Sequence, residues 1–244
     1  GTIILSKYTD FSVVGWYNAA NKIIYALFFI PLVLTAVIFP TLSKFYVHQK
    51  QLQKLLFQKS FYYMVVITVP LLVGGLFLAE KLILLVYGPE FTNSIIALKI
   101  LLFSLVFIFV NYLIGFLLNS INKQTNFMWT TLFSSVINVI LNLVLIPRYS
   151  YVGASIAVVI TELLNFIILY SLITKYKFSI SLPRLIIKPL FAALIMLAAL
   201  YFSRQLHVVV SIILGGVIYF GVLYLLKGIS QDEIGVMKSL LKKK

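Results

Sequence analysis

Charged residues are scarce in this sequence: they make up 11% of its 244 residues, against about a quarter in an ordinary soluble domain. Too few charges are present to cover a surface that faces water, so a soluble globular fold is excluded. Cysteine is absent, which excludes disulfides, a Cys-based zinc site and a thiolate nucleophile. Hydrophobic residues instead make up 62% of the chain, which predicts an integral membrane protein.

Seven apolar runs are long enough to cross a bilayer. Backbone amides in hydrocarbon must bond within their own segment, so each run is expected to be an α-helix. A shorter segment, residues 80–87, is predicted to lie at the interface, and residues 2–5 are interpreted as the end of an earlier span followed by a polar loop. The chain is therefore expected to be an all-α piece of a larger protein. The predicted spans are 23–46, 60–78, 95–118, 127–146, 152–173, 185–202 and 208–226.

Lysine and arginine are unevenly distributed between the two sets of loops. Fourteen of the twenty lie in the loops after the first, third, fifth and seventh spans, five lie in the other loops, and Lys99 lies within a span. Because positive residues favour the cytoplasmic side, the C-terminus is predicted to be cytoplasmic and the N-terminus outside, in a multi-pass protein of the cytoplasmic membrane. This bias also explains the net charge of +14, so no nucleic-acid partner is expected.

Polar side chains within the spans are the candidates for function, because burying them in a bilayer is costly. Glu162 lies near the midplane of the fifth span, too deep for its short side chain to reach the interface. It either lines a cavity and binds a cation, a proton or a substrate group, or bonds a neighbouring side chain and only fixes helix packing. By helix face and depth, Asn165 and Asn138 are the nearest candidate partners. The sequence leaves both interpretations open. The candidate cavity residues are Glu162, Asn165, Asn138, Asn142, Asn111, Lys99 and Lys22.

Three consecutive spans carry polar residues along one helical face, which suggests a common hydrated cavity. The alternative is interhelical hydrogen bonding, worth about 0.6 kcal/mol per bond. Lys99 either snorkels to the outer surface or points a cation into the cavity. Gly153, Ala157 and Thr161 lie four residues apart and predict a seam of close helix packing. The polar faces comprise Ser104, Asn111, Gly115 and Asn119, then Thr131, Ser135, Asn138 and Asn142, then Ser155, Glu162 and Asn165.

The usual catalytic arrangements are missing from the sequence. His48 and His207 lie in loops on opposite sides of the membrane, so they cannot share a metal ion or form a proton relay. No Gly-rich phosphate loop, nucleophile elbow or paired surface carboxylate is visible. The protein is therefore expected not to be an enzyme and to need no cofactor, while coupling of a transport step to a proton or a sodium ion stays open.

Five short stretches occur in order between the spans: VGWYNAANK (14–22), FPTLS (39–43), YGPEF (87–91), NVILNLVLIP (138–147) and GASIA (153–157). In this order they resemble the polysaccharide-repeat-unit flippases of the multidrug/oligosaccharidyl-lipid/polysaccharide exporter superfamily. The resemblance implies that the first five spans correspond to spans eight to twelve of a two-lobed transporter. The last two spans would then be the extra pair of its fourteen-span members.

The resemblance also implies an organisation and an activity. Residues 1–92 would hold the end of one span, two spans and the interfacial segment, residues 93–178 a three-helix core, and residues 179–244 two extra spans and a basic cytoplasmic tail. The implied activity is alternating-access translocation of a polyprenyl-pyrophosphate-linked oligosaccharide, with the bilayer, that substrate and the missing N-terminal lobe as partners. Substrate cavities of this family are cationic, but this part of it supplies only Lys99 and Lys22, so the phosphate site is expected mainly in the missing lobe.

Two other classes stay open. A cation-coupled multidrug exporter of the same superfamily would favour an aromatic cavity with acidic residues and few cations. A membrane-embedded enzyme that modifies glycans would need a large loop or a convergent set of ionisable groups, and the sequence shows neither.

Overall fold

The computed structural model describes residues 1–228, and every regular element in that range is helical. The prediction of an all-α membrane protein is confirmed, because six of these helices are long and apolar enough to cross a bilayer when α2 and α3 are counted as one. The predicted basic tail, with Lys238 and residues 242–244, lies outside the described residues. The helices are α1 (Thr2–Tyr8), α2 (Phe11–Leu27), α3 (Phe29–His48), α4 (Lys50–Tyr87), α5 (Ser94–Ser120), α6 (Gln124–Lys175), α7 (Leu182–Phe202) and α8 (Val208–Leu225), with a short 3-10 turn at Pro89–Phe91.

Helix α6 contains 52 residues and accommodates two of the predicted spans. It is broken at Ser150, whose backbone has φ 53° and ψ −136°, three residues after Pro147. The two halves, residues 124–149 and 151–175, lie side by side, since Asn126 Nδ2 near the beginning donates to the Tyr176 hydroxyl just past the end at 2.6 Å. Helix α6 is therefore a hairpin that supplies the fourth and fifth spans.

The first predicted span is also interrupted. Helix α2 ends at Leu27, four residues before Pro31, and α3 begins at Phe29, two residues before it. Because proline has no N–H, the carbonyl four residues earlier, that of Leu27, loses its helical partner, and the helix breaks at this point.

Two boundary predictions were wrong, and both errors have the same cause. The first span was predicted to begin at residue 23, but residues 11–22 are helical too and belong to α2, where Ala19 and Ala20 are buried. Residues 80–87, predicted as a separate interfacial turn of helix, are helical but continue α4, which ends only at Gly88 with φ 85°. At about 1.5 Å per residue, the 38 residues of α4 extend roughly 57 Å, well beyond the ~30 Å hydrocarbon core. Hydropathy therefore located the part of each helix within lipid, not the helix ends.

Helix α5 lies at the centre of the first unit and packs against α2, α3, α4 and α6. This explains why it is apolar around most of its circumference, since a helix surrounded by other helices buries most of its surface. Leu101, Leu105 and Leu113 are fully buried along it. Gly115 lies so close to the Phe127 ring of α6 that an added Cβ would be 2.7 Å from ring atoms, so α5 and α6 approach each other closely there.

The chain divides into two compact units, Gly1–Ile180 and Ser181–Lys244. In the second unit α7 and α8 pack against each other, and Gly215 of α8 faces Met196 and Leu200 of α7. The Nδ1 atom of His207 accepts a hydrogen bond from the Val209 amide at 3.4 Å and caps the first turn of α8.

Candidate functional site

The carboxyl group of Glu162, in the second half of α6, accepts hydrogen bonds from side-chain amides. Asn111 of α5 donates from Nδ2 to Glu162 Oε2 at 2.9 Å and to the Glu162 backbone carbonyl at 3.0 Å. A side-chain hydrogen bond also joins Glu162 to Asn165, one turn further along the same helix. Of the partners predicted from the sequence, Asn165 is correct. Asn111 was not predicted as a partner, because its bond depends on how α5 packs against α6.

The network extends to the first half of α6. Ser134 Oγ donates to Asn165 Oδ1 at 3.3 Å, so Asn111, Glu162, Asn165 and Ser134 connect α5 with both halves of the hairpin. These polar groups lie within apolar helices, where a polar side chain gains by bonding another protein group.

A second polar cluster lies one turn closer to the break in α6. Asn138 was predicted as a partner of Glu162, but its Nδ2 donates instead to Thr161 Oγ1 at 3.0 Å. Asn142 donates from Nδ2 to the carbonyl and to Oδ1 of Asn138, at 2.7 and 2.9 Å.

The two halves of α6 pack closely near the turn, where an added Cβ on Gly153 would lie 2.4 Å from the carbonyl oxygen of Leu145. Close packing along the predicted seam of Gly153, Ala157 and Thr161 is thus present, and its three residues are buried.

Two acceptors in these clusters lack a donor. The Oδ1 atoms of Asn111 and Asn142 are buried and have no hydrogen-bond partner. A buried acceptor without a donor is costly, at about 1–3 kcal/mol, and a native structure usually has a reason for it. Asn111 lies beside the Glu162 carboxyl, which gains an O–H donor when it is protonated.

Some predicted site residues lie apart from this network. Lys99 and Lys22 are exposed on the surface of the described chain and do not contact the Glu162 carboxyl. Thr131 and Ser135 are exposed too, and their hydroxyls donate to carbonyls of their own helix at 3.0 and 2.8 Å. In this part of α6 the buried polar residue is Ser134. The sequence could not distinguish Ser134 from Ser135, because both lie near the helical face of Asn138. Within residues 1–228, no group of three or more His, Cys, Asp or Glu side chains is placed to hold a metal ion.

Comparisons with known proteins agree with this architecture. Residues 1–96 match a family described as "Polysaccharide biosynthesis protein". A solved structure, "Lipid II flippase MurJ, inward closed conformation", superimposes with a TM-score of 0.79 over 90% of this chain and 48% of that chain, at 17% identity. Comparison with curated proteins by sequence gave no match. The chain spans about half the length of MurJ, has the fold of that part of a flippase, and over its first 96 residues matches the polysaccharide biosynthesis family, as the sequence motifs predicted.

Proposed function

We propose that the chain forms one lobe of a flippase that moves a polyprenyl-pyrophosphate-linked oligosaccharide across the cytoplasmic membrane during polysaccharide biosynthesis. The match of residues 1–96 to a polysaccharide biosynthesis family carries this proposal, and the MurJ-type fold supports it. Neither comparison favours the multidrug exporter or the glycan-modifying enzyme.

The second lobe, in this proposal, comes from the rest of the same protein. The chain accounts for 48% of the MurJ chain that it matches. Alternating access requires two bodies that move around a site between them. In the first unit, α5 and the α6 hairpin are joined by hydrogen bonds and close packing, so they form a rigid part of one such body.

Glu162, in this proposal, gains and loses a proton during the transport cycle. When it is ionised, its carboxylate can only accept, and it accepts from Asn111. When it is protonated, its O–H can donate, and the orphan Oδ1 of Asn111 is then an acceptor beside it if that amide turns over. The proton would thereby change how α5 is held against α6.

Substitutions of Glu162 test this function in the full-length protein. Glu162→Gln keeps the shape and the acceptor for Asn111 but removes the titratable group. We expect glycan export to fall to the level of a strain without the flippase, while the amount of protein in the membrane stays normal. Glu80→Gln, at an exposed carboxylate of α4, is the matched control and should export like the wild type.

The measurements are complementation of a flippase-deficient strain and a membrane blot of each variant. Glu162→Leu removes the side-chain acceptor as well and leaves Asn111 Nδ2 only its bond to the backbone carbonyl at position 162, so one of its two N–H groups is unpaired; this should cost about 1–3 kcal/mol of stability. Normal export by Glu162→Gln, with only Glu162→Leu impaired, would show that the side chain serves packing. Failure of the wild-type protein to restore export in the flippase-deficient strain would point to a different substrate.

A further inference from the structure

A cavity of about 470 Å³ lies where three connections of the first unit meet. They are the α3–α4 junction, the α5–α6 loop and the segment after α6, all at the opposite end of α4 from Gly88. Each connection contributes lysine to the lining: Lys50 and Lys54 from the first, Lys123 from the second and Lys177 from the third. The sequence predicts that these lysines share one side of the membrane, but not that they surround one space.

The positive charge of this cavity is not neutralised by the protein. Within the described residues, no Asp or Glu lines the cavity. Two of the ammonium groups lie over aromatic rings, Lys50 Nζ 6.0 Å from the ring centre of Tyr46 and Lys123 Nζ 5.6 Å from that of Tyr176. The Tyr176 ring is fixed by its hydrogen bond from Asn126. Such contacts orient the lysines but leave their charge available to an anion.

Helix termini of both polarities meet at the cavity: three helices end there, with Tyr46, Ile121 and Tyr176 at or just after their last turns, and two helices begin there. The free backbone N–H groups of a first turn carry partial positive charge, and the free carbonyl groups of a last turn carry partial negative charge. The lysines, and not the helix dipoles, therefore carry the positive charge of the cavity.

Lys177 occupies a backbone conformation that lysine does not favour. Its φ is 67°, and the Phe178 amide donates back to the Ile173 carbonyl at 2.9 Å, which is the helix ending where glycine is preferred. A lysine at this position therefore costs stability that glycine would not. Lys177 lines the cavity, so this position can be changed to glycine to remove its charge without adding backbone strain.

The surroundings of the cavity are apolar on one side. Ile121 and Phe178 are buried in its lining. A free inorganic ion would use only the lysines, whereas a phospholipid would place its phosphate among them and part of its apolar body against this side of the lining. We propose that this cavity binds the phosphate headgroup of an anionic bilayer phospholipid. This ligand is not the transported substrate, so the proposal does not depend on the proposed transport.

Native mass spectrometry of the full-length protein with added lipid tests the proposal. The probes are phosphatidylglycerol, phosphatidylcholine and inorganic phosphate, and the melting temperature of each variant is measured without lipid. We expect phosphatidylglycerol to bind more tightly than phosphatidylcholine. Lys177→Gly should weaken phosphatidylglycerol binding about fivefold, which corresponds to about 1 kcal/mol per basic residue at an anionic surface, and should raise the melting temperature. Adding Lys54→Gln should extend the loss to about 25-fold.

Lys227→Gly is the matched control. Lys227 is an exposed lysine with φ 51° at the end of α8, so glycine relieves the same backbone strain and removes the same charge outside the cavity lining. It should raise the melting temperature and leave phosphatidylglycerol binding unchanged. Equal weakening by both variants would reduce the effect to general surface charge, and no weakening by Lys177→Gly would overturn the site. Equal binding of phosphatidylcholine, or competition by inorganic phosphate at the lipid's own concentration, would overturn the choice of an anionic lipid.

Discussion

Gly153 offers the sharpest test of the α6 hairpin. An added Cβ at this position would lie 2.4 Å from the carbonyl oxygen and 2.7 Å from the carbonyl carbon of Leu145, closer than real Cβ atoms come. Because the neighbour is backbone, no side-chain rotation can relieve the contact. In Gly153→Ala, the two halves of α6 must separate by a substantial fraction of an ångström at the turn.

The expected cost follows from two opposing effects. Overpacking of a closely packed site costs about 1–3 kcal/mol, and a backbone neighbour places this site toward the upper end. Alanine recovers up to about 1 kcal/mol of helix propensity relative to glycine. A net loss of about 1–2 kcal/mol is therefore expected. For a chain of this size that corresponds to a fall of roughly 2–8 °C in the melting temperature.

Thermal unfolding of the purified protein in detergent measures this loss. The control is Gly216→Ala in α8, where an added Cβ meets nothing within 4 Å, so this variant should be neutral or slightly more stable. If Gly153→Ala were as stable as Gly216→Ala, the close approach of the two halves would be refuted.

Two further predictions concern the same turn and the orientation of the chain. Ser150→Gly should raise stability by about 0.5–1 kcal/mol in the same unfolding assay, because φ 53° with ψ −136° strains any side chain but glycine; an unchanged melting temperature would contradict the broken turn. In the cysteine-free background, Glu90→Cys and Gln205→Cys should react with an impermeant thiol reagent in intact cells, whereas Leu52→Cys and Ser179→Cys should not. The reverse pattern would contradict the proposed orientation.

The bilayer made most of the fold predictable from the sequence. Hydrocarbon leaves a spanning segment no alternative to helix, so runs of apolar residues located all seven spans. Helix ends were not predictable in the same way. Residues 80–87 continue α4 beyond the hydrocarbon, where helix persists through its own hydrogen bonds and hydropathy no longer reports on it.

The candidate site was predictable in its residue types but not in its pairing. The polar faces identified Glu162, Asn165 and Asn111, which do meet. The bond between Asn111 and Glu162 joins positions 51 residues apart and depends on the packing of α5 on α6, which helical periodicity cannot give. The convergence of the lysine loops escaped prediction for the same reason, because charge counting assigns loops to a side but not to one cavity.

The geometry of the network bears on why position 162 is a carboxylic acid at all. A glutamine there would accept the same bond from Asn111, but it has one acceptor oxygen where the carboxylate has two, so the Asn165 amide would have to turn over to keep its bond. The glutamine would also avoid the insertion cost of a charged side chain near the bilayer centre, about 2.5 kcal/mol or more. Other links, between Asn138 and Thr161 and between Asn126 and Tyr176, already hold the hairpin together, and each such bond is worth only about 0.6 kcal/mol. The insertion cost of a charge is therefore larger than what one such bond returns, which supports the proposed role of Glu162 in a step that needs its proton or its charge.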